Sequence, residues 1–135
     1  MVKWVDLFTR PVYRDIVIDS IRYAIEHKGC QLFAYVVMSN HVHLVAQSSN
    51  GDLSCTIRDI KKYTSKRIIE TIQSIPEGRR DWMMSVFSHA ASQHQRNTDC
   101  QVWTRMKAML LFCIQTPLRL KRSMTSIKIR SVRCR

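Results

Sequence analysis

The stretch "YVVMSNHVHLV", residues 35 to 45, decides the fold that the sequence predicts. A run of aromatic and β-branched residues is interrupted by Ser39-Asn40 and then resumes. Such a run favours extended structure, and the polar pair favours a turn or bulge. We therefore expect one strand from Cys30 to Met38 and a second from His41 to Gln47.

Two histidines flank a single valine in the second strand. Side chains two residues apart in a strand point to the same face, so His41 and His43 should project together while Val42 faces the core. Two adjacent imidazoles can chelate a metal ion or bind a phosphate. They can equally be half-exposed strand histidines that hydrogen-bond to their neighbours, and the triplet alone leaves both interpretations open.

Helices are predicted on both sides of these strands. Pro11 can begin a helix over 11–28, which ends at Gly29, and Asp52 or Ser54 can cap a helix over about 53–74. A shorter helix over about 80–93 follows the helix-breaking Pro76-Glu77-Gly78. Apolar residues recur at roughly helical spacing in the first helix, which is therefore amphipathic: Val12, Ile16, Ile18, Ile21, Tyr23 and Ile25. In the second helix, one side carries Leu53, Ile57, Ile60, Thr64 and Ile68. The residues of the third helix expected to face inward are Trp82, Met83, Val86, Phe87 and Ala90.

Length and composition limit the class of protein. A chain of 135 residues fits one domain with a modest core. There is no apolar run of the roughly 20 residues that a membrane helix needs, and no secretory signal pattern. The five cysteines are scattered and never form a C-x-x-C pair, so they indicate reduced thiols in a cytoplasmic protein.

The net charge of +12 is unevenly distributed. Residues 1–100 hold 13 Lys and Arg against 10 Asp and Glu, whereas residues 101–135 hold nine Lys and Arg and no acid. The charge of the domain itself therefore does not establish nucleic-acid binding. Two interpretations of the basic tail, residues 104–135, stay open: a segment that binds nucleic acid, and a stretch never selected to fold.

The order of these segments resembles one known family. "LFTRPVYRDIVIDSIRYAIEHKG", then "AYVVMSNHVHLV", then "DLSCTIRDIKKYTSKRI" are similar to the HUH single-tyrosine transposases, which comprise insertion-sequence enzymes and their REP-associated relatives. The resemblance covers about residues 4–103. It implies an α+β fold, with helices on one side of an antiparallel, ferredoxin-like sheet and an irregular basic C-terminal tail.

The resemblance also implies an activity and its cofactors. In this family the histidines that match His41 and His43 hold a divalent ion, Mg²⁺ or Mn²⁺, and a tyrosine cleaves and rejoins single-stranded DNA through a phosphotyrosine intermediate. The partners implied are single-stranded or hairpin DNA and a second copy of the chain in a homodimer. Asn40, beside the pair, can shape the turn or reach the metal.

The family's C-terminal tyrosine segment is not present in this sequence. Its last tyrosine is Tyr63, a candidate nucleophile whose simpler interpretation is a boundary residue of its helix. One hypothesis is a frameshift between about Gln101 and Lys107 that replaced the catalytic segment with the tail. The first strand of the family also has only Met1 to Val5 to form it, so we expect an impaired enzyme with an unpaired sheet edge beside the histidine strand.

The helix over 53–74 carries the expected phosphate contacts. They are the basic residues Arg58, Lys61, Lys62, Lys66 and Arg67. Trp82, Phe87 and Trp103 can stack on bases, although core packing is the simpler interpretation. Three functions compete: a metal-dependent DNA strand transferase, a DNA-binding remnant that cannot cleave, and an unrelated small basic α+β binding protein with structural histidines.

Overall fold

A computed structural model describes residues 1–93 and 100–104, together with the backbone of residues 109–112. The three predicted helices and two predicted strands are present, with bounds that differ from the predictions by at most one residue. A third strand is added after them. The elements are α1 (Pro11–His27), β1 (Cys30–Val37), β2 (Val42–Ser48), α2 (Leu53–Ser74), α3 (Arg80–Ser92) and β3 (Met109–Phe112).

The sheet has the order β1-β2-β3, with β2 in the centre. Strands β1 and β2 are antiparallel and place Val36 opposite His43, with an irregularity in register between Leu32 and Ala34. The inward residues of β2 share one core with the helices, while its other face is more exposed. The α+β class, with helices on one side of the sheet, is therefore confirmed.

Strand β3 is the element that sequence patterns did not predict. It pairs with β2 in parallel, with Met109 opposite Val42, so the sheet is mixed. The edge beside the histidine strand was expected to be unpaired, and this strand occupies it. It lies inside the segment interpreted as an irregular tail. Most of that tail, like the frameshift hypothesis that concerns it, lies outside the described residues.

Helix α2 follows its sequence signals closely. The Asp52 carboxylate accepts a hydrogen bond of 2.9 Å from the backbone N–H of Cys55, which satisfies one of the free donors at the helix start. All five residues expected to face the core are buried. Because they recur every three to four residues, they form one apolar stripe along the helix.

Helix α1 corrects part of the prediction. Tyr13, Val17, Ile21 and Ala24 form its buried stripe, whereas Tyr23, one of the apolar residues named in the amphipathic pattern, is 55% exposed. Ile25 is exposed as well. The spacing of four, four and three residues keeps the buried stripe on one side of the helix and leaves these two on the outside.

Glu77 ties the start of α1 to the loop before α3. Its carboxylate accepts hydrogen bonds from Arg10 at 2.9 Å, from the Tyr13 hydroxyl at 3.1 Å and from the backbone N–H of Arg79 at 3.3 Å. Burial opposes ionisation of this carboxyl, but the hydrogen bonds outweigh it and lower its pKa to about 2. The segment Pro76-Glu77-Gly78 therefore ends α2 and also connects the loop before α3 to the start of α1.

Residues 1–9 pack against the far end of the domain. The backbone N–H of Val2 donates to the carbonyl of Val102 at 3.0 Å, and Phe8 and Trp103 pack with ring centroids 6.0 Å apart. Both aromatic residues are buried. Within the residues that the structure describes, no helix has the length and apolar character needed to cross a membrane.

Candidate metal centre and nucleic-acid interface

The histidine pair lies at the start of β2, with His41 just before the strand and His43 within it, on the side turned away from the helices. Val42 and Leu44 are almost fully buried on the inner face, whereas His41 and His43 are only partly covered. The two imidazole rings meet edge to face, with centroids 4.7 Å apart. Strand alternation has therefore brought both histidines to one place, as the sequence predicts.

A tight turn orients His41. The backbone N–H of Met38 donates to the His41 carbonyl at 2.8 Å, which closes the turn through Ser39 and Asn40. The Asn40 side-chain oxygen lies 2.6 Å from Nδ1 of His41. An amide oxygen can only accept, so this contact keeps the proton on Nδ1 and leaves the Nε2 lone pair available to a metal ion. Asn40 thus orients the ring and shapes the turn together.

The Met1 amino group lies at the histidine turn, and Lys61 lies near that amino group. The amino group of Met1 donates to the carbonyl of Asn40 at 3.1 Å, and its pKa falls to about 6 because it is buried and lies near Lys61. Burial, the neighbouring His43 and that amino group lower the pKa of His41. Burial also lowers the pKa of Lys61. An anion bound beside these groups, such as phosphate, would raise their pKa values again and favour their protonated forms.

The donor set fits a divalent ion only in part. Two imidazole rings lie side by side, but the described residues contain no group of three or more His, Cys, Asp or Glu side chains that could hold a metal ion. Two imidazoles can supply only some of the ligands that a divalent ion needs, so water and a bound phosphate would have to supply the rest.

Tyr63 lies elsewhere on α2. It is 53% exposed and lines a groove of about 510 Å³ between α1 and α2, together with Tyr23 and the ion pair of Lys28 and Asp59. Lys61 lies on the side of α2 nearer the histidine turn. Tyr63 follows it by two residues, so the two side chains point about 200° apart around the helix axis. The structure therefore brings the two histidines together and places the candidate nucleophile on a different flank of α2.

The five basic residues of α2 do not form a single face. Arg58, Lys62 and Lys66 are exposed and recur every four residues along one ridge, as expected. Arg67 lies outside that ridge and pairs with Glu70 at 3.1 Å. Lys61 is half-buried and lies near the Met1 amino group, which is itself bonded to the Asn40 carbonyl of the histidine turn. We call Arg58, Lys62 and Lys66 the basic ridge.

The aromatic residues separate into two groups. Phe87 and Trp103 are buried, which confirms core packing, but Trp82 is 54% exposed and was wrongly expected to face inward. Trp82 precedes Met83, which takes the buried position in the first turn of α3. Sequence analysis missed Trp4, whose indole lies beside His41. No periodic pattern marks it, because it belongs to a short irregular turn.

Comparison with known proteins gives one match. A family model described as "Transposase IS200 like" matches residues 5–101, well over half of the chain. No curated protein and no solved structure matches it. The matched range contains α1, β1, β2, α2 and α3, and with them the histidine pair and Tyr63.

Proposed function

Since the chain belongs to the IS200-like transposase family, we propose that it cleaves and rejoins single-stranded DNA at the histidine face of β2. The observation that carries this proposal is the convergence of His41 and His43, with Asn40 leaving Nε2 of His41 free. The Met1 amino group lies at the histidine turn with Lys61 near it, and a DNA phosphate bound there would favour the protonated forms of both groups.

A divalent ion, Mg²⁺ or Mn²⁺, is the proposed cofactor. His41 and His43 would hold it, and when bound it would withdraw electron density from the scissile phosphate. The chain's own residues do the rest of the positioning: Asn40 fixes the His41 ring, and Lys61 offers its ammonium group to the phosphate backbone. The site of this activity is proposed to be the cytoplasm.

The proposed chemistry is a transesterification. A tyrosine oxygen attacks phosphorus, the bond from phosphorus to the 3′ oxygen breaks, and the phenolic proton passes through solvent to that 3′ oxygen. The products are a 5′-phosphotyrosine and a free 3′ hydroxyl. Rejoining reverses these steps on a new 3′ end and needs no ATP, because the phosphotyrosine retains the energy of the ester. Tyr63 is the candidate nucleophile.

The basic ridge and the neighbouring Lys61 and Arg67 are the proposed contacts to the DNA backbone. Phosphate contacts fix position and supply affinity without reading sequence. The proposed ligand is a single strand beside a hairpin, bound by a homodimer.

One observation favours a second function, DNA binding without cleavage. Tyr63 lies in the groove between α1 and α2, on a different flank of α2 from Lys61 and the histidine turn. A nucleophile must come within about 3.5 Å of its target. In this second candidate the histidine face still holds the DNA, and no tyrosine of the chain reaches the phosphate.

One experiment separates the two functions. The protein is incubated with a hairpin oligonucleotide carrying a single-stranded flank and Mn²⁺, and denaturing electrophoresis then detects a covalent adduct. Cleavage predicts an adduct that Tyr63→Phe and His41→Ala abolish, while His89→Ala, a change of an exposed histidine on α3, preserves it. A salt-sensitive gel shift without adduct supports binding alone. If neither adduct nor gel shift appears, both proposals are wrong.

A further inference from the structure

An exposed tryptophan stands beside the histidine pair. The Trp4 side chain is 70% exposed, and its ring meets that of His41 edge to face, with centroids 6.0 Å apart. His41 in turn contacts His43 at 4.7 Å, so three rings follow one another across this face. An indole is the largest apolar side chain, and an exposed indole contributes none of the hydrophobic stabilisation that its burial would provide.

The backbone is strained where it carries this indole. Lys3 has φ 45° and ψ 31°, and Trp4 has φ 56°, which places both in the left-handed region that residues other than glycine rarely adopt. Strain of this kind persists only where the surrounding structure imposes it, and it concentrates at functional sites.

The residues on either side of the strained pair are firmly held. Val2 and Val5 are buried, and the backbone N–H of Val2 is bonded to the carbonyl of Val102. The turn therefore anchors its ends in the core and directs the indole outward, toward the histidines. Nothing in the packing of the core requires an aromatic ring at this position.

We propose that Trp4 is a stacking platform for a base of single-stranded DNA, next to the nucleotide whose phosphate lies at His41 and His43. This inference rests on the proposed function, since it concerns the same DNA. Stacking on an aromatic ring suits every base, because each has a π face, and it holds the strand without reading its sequence.

The charges nearby complement that ligand. Lys3 is exposed beside the ring, and Lys61 lies near the Met1 amino group, which is bonded to the histidine turn. A base on the indole would thus have cations close to its own phosphates. A second copy of the chain is the competing occupant of this face. A twofold interface here would place these cations opposite the same cations of the partner copy, and the repulsion between like charges disfavours such a dimer.

The test measures binding rather than cleavage. A fluorescein-labelled hairpin with a single-stranded flank is titrated with protein, and anisotropy gives the dissociation constant. Trp4→Ala should weaken binding by about 5- to 150-fold, the range typical of one lost stacking contact, and Trp4→Phe should restore most of the loss. Tyr23→Ala is the control, because it removes another exposed aromatic ring, which lies on α1 and away from the histidine face.

An abasic series identifies the contact as stacking. Oligonucleotides that each lack one base of the flank are bound to wild type and to Trp4→Ala. At one position the missing base should weaken wild-type binding and have no effect on the variant, since the two changes remove the same contact. If every abasic position affects both proteins equally, Trp4 is not a stacking platform.

Folding and the proposed function are controlled separately. Trp4→Gly removes the ring and suits the positive φ, so its thermal midpoint should be no lower than that of wild type while its DNA binding is weakened. If wild type binds the oligonucleotide and Trp4→Ala has the same dissociation constant, this inference is wrong and the proposed function is unaffected. A wild type that binds no oligonucleotide overturns the proposed function as well, and a dimer that Trp4→Ala dissociates assigns the face to the second copy instead.

Discussion

The indole Nε1 of Trp103 donates a hydrogen bond of 2.9 Å to the hydroxyl of Thr64, and both side chains are buried. The Thr64 hydroxyl in turn donates to the carbonyl of Ile60 at 2.7 Å. One hydroxyl thus connects the segment after α3 to the middle of α2. Sequence analysis placed Thr64 on the apolar side of α2 and favoured core packing for Trp103, and the bond explains how a polar residue is accommodated there.

Thr64→Val should lower the free energy of unfolding by about 1–3 kcal/mol, because the indole N–H stays buried without its acceptor. Urea denaturation of wild type and variant measures this change in the free energy of unfolding. Thr71→Val is the matched control: Thr71 makes the same kind of bond to the carbonyl four residues earlier, but its hydroxyl is exposed. Its change should stay within about 0.5 kcal/mol. Equal losses in the two variants would show that the bond to Trp103 contributes nothing.

Glu77→Gln should destabilise the protein by about 2 kcal/mol at neutral pH, since it removes the charge that Arg10 and Arg79 surround. The folded pKa of about 2 lies below the ordinary value of 4.5. The ionised carboxylate therefore stabilises the fold above about pH 4.5, and this contribution is lost as the pH falls toward 2.

Urea denaturation between pH 7 and pH 3 checks both parts of that prediction. The difference in stability between wild type and Glu77→Gln should shrink steadily below about pH 4.5. Glu70→Gln, which removes an exposed carboxylate on α2, should show a much smaller difference at every pH. A gap between wild type and Glu77→Gln that does not change with pH would contradict the assignment.

Gly29→Ala should destabilise the junction of α1 and β1 by about 1–3 kcal/mol. Gly29 has φ +63°, and an added Cβ would lie 2.4 Å from the Ser49 hydroxyl oxygen. Gly51 has φ +76° with open space around it, so Gly51→Ala carries the backbone cost without the clash. Thermal unfolding of both variants compares them. If Gly51→Ala proves the more destabilising, the close approach to Ser49 is unimportant.

His41→Ala and His43→Ala should each weaken Mn²⁺ binding by at least about tenfold, and Asn40→Ala by about 10- to 100-fold through loss of ring orientation. Electron paramagnetic resonance of free Mn²⁺ during a titration measures this without any DNA or catalysis. His89→Ala should bind like wild type. An unchanged affinity in His41→Ala would exclude chelation by the pair.

Replacing the basic ridge residues Arg58, Lys62 and Lys66 with glutamine should weaken single-stranded DNA binding and flatten its salt dependence. Each lost phosphate contact reduces the slope of log K against log salt by about 0.7. Arg22→Gln, a change of an exposed residue on α1, is the control. A triple variant with the wild-type slope would place the DNA on another surface.

Local patterns predicted the elements well because they depend on neighbours in sequence. Alternation along β2 was sufficient to put His41 and His43 on one face, and the three-to-four spacing of Leu53 to Ile68 was sufficient to orient α2. The same patterns counted Tyr23 among the apolar residues of α1 and assigned Trp82 to the core, and both side chains are exposed. Apolar character alone cannot say which of two adjacent large residues receives the buried position.

Contacts between distant parts of the chain could not be predicted in this way. The carboxylate of Glu77 meets Arg10 and Tyr13 across more than 60 residues, and the indole of Trp4 reaches His41 from an irregular turn. Neither has a periodic signal. The pairing of β3 with β2 is another contact between distant parts of the chain, and nothing in the local sequence "MLLF" specifies which strand it pairs with.

The pairing of β3 with β2 also has a consequence for the order of events during synthesis. Val42 and Met109 are partners 67 positions apart, the difference of their numbers. At about 5–20 residues per second, a ribosome needs on the order of 3–13 s to make the intervening chain. Throughout that interval the strand that carries the histidines has β1 on one side and an open edge on the other. A nascent chain therefore presents this edge to chaperones, or to a neighbouring copy on the same polysome, before β3 exists to close it.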